Sequence, residues 1–370
     1  MDAASLDALL GSSAAQREES WRYSRNALRA LTQQQFVAAD AHAAMPPALL
    51  ERIDWPQTRG ARIVFVNGVY AAAHSDAPVD VQCTKEHHVL VLPEDASSTL
   101  HVVYASMPGV APSHWHRSGE VRLQRGAATV IEHHIGTTGS DVFAALTTQL
   151  MVGAAADLHL VTITDMADSL SLYRRQHAHV AAHGRYRSTH VLGGGRVLRF
   201  DLACDLEGAN ARCEQRGVFA LRGREHVDVQ LDVRHLARDT ASDVLWRGVA
   251  DQRARGILRG AITVAAGADG ADAQLQTKNV LLSPHAEIDA QPVLEIYADE
   301  VKAAHGATVG QLDERALFYL RSRGIPSALA RNLLITGFCH EALAAIGDSA
   351  LLARLGAALD ARLPTSEAAL

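Results

Sequence analysis

Between residue 61 and about residue 300 the chain returns again and again to short apolar segments broken by small turns. Val227, Val229, Leu231 and Val233 alternate with Asp228, Gln230 and Asp232, the period of two expected of a strand with one buried face. Similar segments recur at 121–123, 128–131, 158–163, 197–202, 262–264, 275–282 and 293–296. The run from Arg62 to Tyr70 is β-rich and interrupted by Asn67-Gly68, a turn signal. Small-residue turns at Gly126-Ala127, Gly153-Ala154, Gly208-Ala209 and Gly267-Ala268 suit coils stacked one on another, although no exact repeat is visible. The pattern leaves a sandwich, a barrel and a β-solenoid open.

The two ends follow a different period. Ser20 to Phe36 sets Trp21, Leu28, Leu31 and Phe36 among Arg, Asn and Gln, and residues 1 to about 60 are expected to be helical. After Gly310, Leu312 to Arg323 lacks Pro and Gly, stops at Gly324, and gives way to a second helix opened by Pro326. In that second helix Leu329, Leu333 and Leu334 share a face, extended by Phe338. Asp348 or Ser349 can cap a third helix carrying Leu351, Leu352, Leu355 and Leu359. The expected organisation is a helical region over 1–60, a mainly β core over 61–304 and a helical tail over 305–370 whose apolar stripe must cover something.

Composition narrows the function classes. A chain of 370 residues exceeds the roughly 250–300 at which single cores stop growing. Hydrophobic content is 48%, yet no apolar stretch of the roughly 18 residues a membrane span needs is present, nor a basic region followed by an apolar core at the N-terminus. A soluble, cytoplasmic protein is expected. With a net charge of −6 and scattered basic residues, nucleic acid is not an expected partner. Cys83, Cys204, Cys213 and Cys339 form no Cys-x-x-Cys pair and no metal-finger spacing, so the chain alone has no framework for a stable cluster.

Nucleophilic and nucleotide chemistry find little support. No Gly-x-Ser-x-Gly elbow is present, and Gly193-Gly194-Gly195 lacks the Lys-Ser/Thr of a phosphate loop. Cys339 and His340 are adjacent, but neighbours on a helix point about 100° apart. His87-His88, His133-His134, His114/His116 and His177/His179 are close pairs, and the last two would share a side on a strand. Without a third ligand nearby in sequence, they read as surface residues with at most adventitious metal binding. His305, flanked by Ala303, Ala304, Gly306 and Ala307, stands at the expected junction of core and tail with space for another chain to approach. Taken alone it is an ordinary loop or core histidine. Glu295, Asp299 and Glu300 read as a solvated rim beside Lys302, and Thr308 as a turn residue.

The stretch from Val301 through His305-Gly306-Ala307-Thr308 to Gly324-Ile325, preceded by Leu281-Leu282-Ser283-Pro284, Pro292 to Ile296 and Asp299 to Lys302, resembles the C-terminal signature of the SufB/SufD family of the SUF iron–sulfur cluster assembly machinery. Trp21-Arg22-Tyr23-Ser24 is similar to that family's N-terminal Trp-x-Tyr motif. The resemblance covers the whole chain, most strongly from about Arg216 to Phe338. His305-Gly306-Ala307-Thr308, where SufB tends to carry His-Glu-Ala, resembles the SufD type. The resemblance implies a right-handed parallel β-helix core with helical ends and a non-catalytic scaffold role in a SufBCD complex. It also implies pairing with a SufB-type paralogue and docking of a SufC-type ABC ATPase, which hydrolyses the ATP, through the tail at Leu329, Leu333 and Leu334. His305 is then a transient ligand or proton acceptor for a nascent iron–sulfur cluster shared with the partner, and none is held stably by this chain alone. Many relatives carry cysteine two residues before this histidine; here Ala303 removes that thiolate. The alternatives are a β-helical carbohydrate-active enzyme and a SufD-like homodimer acting without SufB.

Overall fold

The computed structural model describes residues 21–364 apart from 56–57, 59, 77–80 and 95–97. Helical expectations for residues 1–20 lie outside the described residues.

The choice left open by the pattern falls on a β-solenoid. One sheet runs from Val81–Cys83 and His87–Val91 through Ser113–Leu123, Val142–Val152, Leu170–Val180, Val197–Leu206, His226–His235 and Arg255–Val264 to Glu287–Ile296. The other runs from Arg62–Val66 and Val69–Tyr70 through Ser98–Ser106, Ala127–Gly136, Asp157–Asp165, Arg185–Leu192, Arg212–Leu221, Ala241–Ala250 and Asp272–Leu281 to Lys302–Gly310. The chain alternates between the sheets, and each strand pairs in parallel with the strand one coil away. Val197 pairs with His226 and His226 with Arg255, so a coil takes 29 residues here. Leu198, Phe200, Leu202, Val229, Leu231 and Leu258 are among the side chains that fill the interior between the sheets.

Among the described residues, antiparallel pairing is confined to the first coils. Arg62–Val66 turns back on Val69–Tyr70 through Asn67 and Gly68, both at positive φ, which is the turn that Asn-Gly signals. Helix α1 (Arg25–Thr32) and helix α2 (Pro47–Ile53) are separated by a short strand, Val37–Ala38, so residues 21–60 are only partly helical. The strand forms because Val37 and Ala38 can pair with Ser113 and His114 at the sheet's free backbone.

The N-terminal segment covers one outer face. Trp21, Leu31 and Phe36 pack on Phe143, Tyr173 and Val197. Arg199 lies under the Trp21 ring at 3.8 Å and reaches Asp228 at 2.6 Å. Ser24 Oγ bonds His226 Nε2 at 2.9 Å and donates to Asp228. Asp228 and Gln230, the polar half of the alternating strand, are therefore buried as well.

Three helices close the other outer face: α3 (Glu314–Ser322), α4 (Ser327–His340) and α5 (Ser349–Asp360). Asp313 and Asp348 cap α3 and α5 by accepting backbone N–H groups of the first turn. Gly324 at φ +86° ends the first of these helices. Ile335, Cys339, Leu351, Leu355 and Leu359 pack on Ile131, Val161, Val191, Val218 and Val249, which point outward from the sheet. Bidentate contacts from buried Arg247 to Glu341, both 2.8 Å, pin the tail to the solenoid. No helix among the described residues is long and apolar enough to cross a membrane.

Candidate functional site

Among the described residues, the last coil has no coil above it. Its strands Glu287–Ile296 and Lys302–Gly310 are the terminal members of the two sheets, so one edge of each is unpaired. Burial fades accordingly: Ile288 is buried, whereas no residue of Lys302–Gly310 is. Ile296, Tyr297 and Val309 are exposed apolar groups on this end.

His305 belongs to that terminal strand. The sheet continues to Gly310, past the edge expected at residue 304, and His305 is paired with Leu275 of the coil below rather than lying in a connecting segment. Val244 and Leu275 hold the same position in the two preceding coils and point into the core. His305 thus ends an inward-facing column, exposed because nothing is stacked on it. Ala303 and Ala307 flank it on the same face, and a Cβ built on Gly306 would meet nothing within 4 Å. The arrangement is one imidazole standing at an open end, with small neighbours and an unpaired strand edge facing away from the coil below.

This chain's thiols do not join it. Cys204 and Cys213 lie in the solenoid core, Cys339 is under the tail and Cys83 is at the opposite end. Burial pushes the Cys339 thiol up to about 12, and burial also raises Cys204 far above its ordinary range. Thiols so held are not nucleophiles or ready metal ligands near neutral pH.

The tail carries a second exposed surface. Leu329 and Leu333 are 43% and 50% exposed on α4, while Leu334 is half-buried, so the three do not behave as one buried stripe. Ala330, Ile335 and Cys339 are the buried residues of α4, and Ile335, Cys339 and Phe338 pack in the cluster against the solenoid. Phe318 and Tyr319 of α3 are exposed at 71% and 57%. The helix pair α3–α4 thus leaves an aromatic and aliphatic surface uncovered.

The histidine pairs divide in a way the sequence did not signal. His88, His133 and His134 are buried, not surface residues. His88 Nδ1 accepts from Arg117 Nε at 2.9 Å, and burial together with Arg117 lowers its pKa to about 3. Glu132 and Arg174 form a buried bidentate pair at 2.7 and 3.0 Å. Burial raises the Glu132 carboxyl, but Arg174 and His134 overcome it and hold it at about 2. His177 and His179 are half-buried on an outer face, and the coil above supplies Asp205 beside them.

Comparison with known proteins agrees with this architecture. Residues 116–338 match the family model described as the SufBD core domain of SUF-system FeS cluster assembly. The chain is 29% identical to the iron–sulfur cluster assembly protein SufD of Escherichia coli over 94% of this chain and 89% of that protein. A SufBD-family iron–sulfur cluster assembly protein of Mycobacterium tuberculosis is 33% identical over 67% of this chain and 64% of its own length. SufD of Bacillus subtilis is 27% identical over 59% of this chain and 50% of its own. The solenoid, its open final coil and these matches lead to one assignment: this chain belongs to the SufBD family of iron–sulfur cluster assembly proteins and is SufD-like.

Proposed function

We propose that the chain is a non-catalytic scaffold subunit whose open final coil pairs with a SufB-type paralogue, with a nascent iron–sulfur cluster built against His305 at that interface. The observation that carries this reading is the uncapped end itself. Parallel edge strands with free backbone groups are templates for another chain, and here they lie beside exposed Ile296, Tyr297 and Val309. A neutral imidazole is a borderline ligand suited to iron. One imidazole cannot hold a cluster, and with alanine at 303 and the cysteines elsewhere, thiolate and sulfide ligands come from outside the chain. The cluster is cargo, not a resident group. The exposed α3–α4 surface at Phe318, Leu329 and Leu333 is the dock for a SufC-type ABC ATPase, which hydrolyses the ATP.

The test is co-expression with SufB-type and SufC-type partners, comparing wild type with His305→Ala for complex stoichiometry and visible cluster absorbance. The reading requires both complexes to assemble and only the wild type to acquire a cluster. A wild type that captures neither partner, or a variant that loads its cluster normally, refutes it.

A further inference from the structure

His177 and His179 lie two positions apart on one strand and therefore project from the same outer face. In the next coil His177 is opposite Ala203 and His179 opposite Asp205. Because Ala203 has no side chain beyond Cβ, the His177 ring leans across it, and His177 Nε2 comes within 3.0 Å of an Asp205 oxygen. The two rings are 4.1 Å apart between centroids. One ring nitrogen from each histidine and one Asp205 oxygen lie within 4.8 Å of one another. Ligands about 2.1 Å from a common ion stand roughly 3–4 Å apart, so side-chain rotation alone closes the set. From this we infer that His177, His179 and Asp205 form a binding site for a divalent first-row transition metal ion.

The polar groups around the two rings compete for the same nitrogens. His177 Nε2 faces both the Asp205 oxygen and Arg234 Nη2, the latter at 3.3 Å. It cannot donate to one and accept from the other at once. His179 Nδ1 faces Glu207 Oε1 at 2.7 Å, and its Nε2 faces Gln149 Oε1 at 3.1 Å. Both nitrogens of that ring thus already have polar side-chain partners. Two imidazoles with a carboxylate suit Fe(II), Co(II), Ni(II) and Zn(II) and disfavour the all-oxygen ions magnesium and calcium. Fe(II) is the member of that class that an iron–sulfur assembly protein handles.

Arg234 is a built-in competitor. Its Nε and Nη2 bond the two Asp205 oxygens at 2.6 and 2.5 Å. The guanidinium is 39% exposed, so an incoming ion would exchange one cation for another at Asp205. The site is separate from His305. Four coils of pairing divide His177 from the final coil, which at strand spacing is roughly 19 Å along the axis.

The test is an anaerobic titration of the untagged full chain with Co(II), followed by its visible ligand-field bands and by competition with Zn(II). One equivalent is expected to give the bands. His177→Ala and His179→Ala should each weaken binding more than tenfold, while Arg234→Ala should tighten it at least threefold. A Co(II)-dependent rise in melting temperature, expected for wild type and Arg234→Ala alone, separates loss of the site from loss of the fold. No band in wild type, unchanged binding in the His177→Ala/His179→Ala double variant, or weaker binding by Arg234→Ala overturns the inference.

Discussion

Lowering the pH from 7.5 to 5.5 should unfold this protein, and histidines are the reason. His88, His133 and His190 are held at about 3, and His159, His226 and His235 at about 4; desolvation by burial is the largest cause in all six. In the unfolded chain each returns to about 6.5. Below that value the unfolded chain takes up protons that the folded one refuses. Stability is therefore full above about pH 7, falls as the pH drops through 6.5, and stops falling for each residue only at its folded pKa. At pH 6.0 an unfolded histidine is about three-quarters protonated, so six of them bind roughly 4.5 more protons than the folded state, a slope of about 6 kcal/mol per pH unit. Even a third of that is large against a total stability of about 5–15 kcal/mol. Urea unfolding midpoints at pH 7.5, 6.5, 6.0 and 5.5 measure the slope. His190→Phe provides the internal control. His190 has no bonding partner on either ring nitrogen and stacks on Trp246, so replacing it should flatten the slope by about 1 kcal/mol per pH unit. A stability that changes by less than about 0.5 kcal/mol per unit between pH 7 and 5.5 would refute the reasoning.

Two variants separate the inner and outer faces of the tail. Leu355→Ala removes a fully buried side chain from the helix–sheet cluster and should cost about 2–5 kcal/mol in urea titrations, with the tail becoming the first site of limited proteolysis. Leu329→Glu with Leu333→Glu alters exposed positions, so stability should change by no more than about 0.5 kcal/mol, while capture of the ATPase partner in a pull-down should fail. Retained capture by that double variant would remove α4 from the proposed dock.

How much of this was readable in the sequence depends on where each signal is stored. Asn67-Gly68 marked its turn because both residues must adopt positive φ, a strictly local demand. The tail helices were readable for the same reason: Gly324 and Asp348 act within their own last or first turns, whereas the cap at Asp313 emerges only from the structure. The coil repeat was not, although it is conformationally regular. Gly126, Ala155, His183, Asn210, Asp239 and Gly270 all have positive φ at corresponding corners. From Ala155 onward each donates its N–H to a carbonyl of the next corner, at distances from 2.7 to 3.2 Å. A conformation supported by the coil above accepts Ala and His as well as Gly and Asn, so no single residue type marks the corner. Asp205 was missed as a third ligand because the pairing of coils, not proximity in sequence, brings it to His177 and His179.

The terminal strand was misread for a related reason, and that reason bears on the site. Lys302-Ala303-Ala304-His305-Gly306-Ala307 has no alternation of large apolar and polar residues, so it does not announce a strand. Its geometry comes from the ladder to Asp272–Leu281, which orders a backbone whatever side chains it carries. Interior coils need bulk on the inner face to fill the space between two neighbours, as Val244 and Leu275 do. The final coil has one neighbour only, and there small residues around a single imidazole impose no packing penalty. The same open position that frees His305 from the hydrophobic pattern leaves it reachable from outside the chain. Filling the inner face with His305→Leu should preserve the fold, since Leu275 beneath it is already apolar. Any loss of cluster loading in that variant, with complex assembly and melting temperature unchanged, would then arise from the missing imidazole nitrogen rather than from a collapsed end.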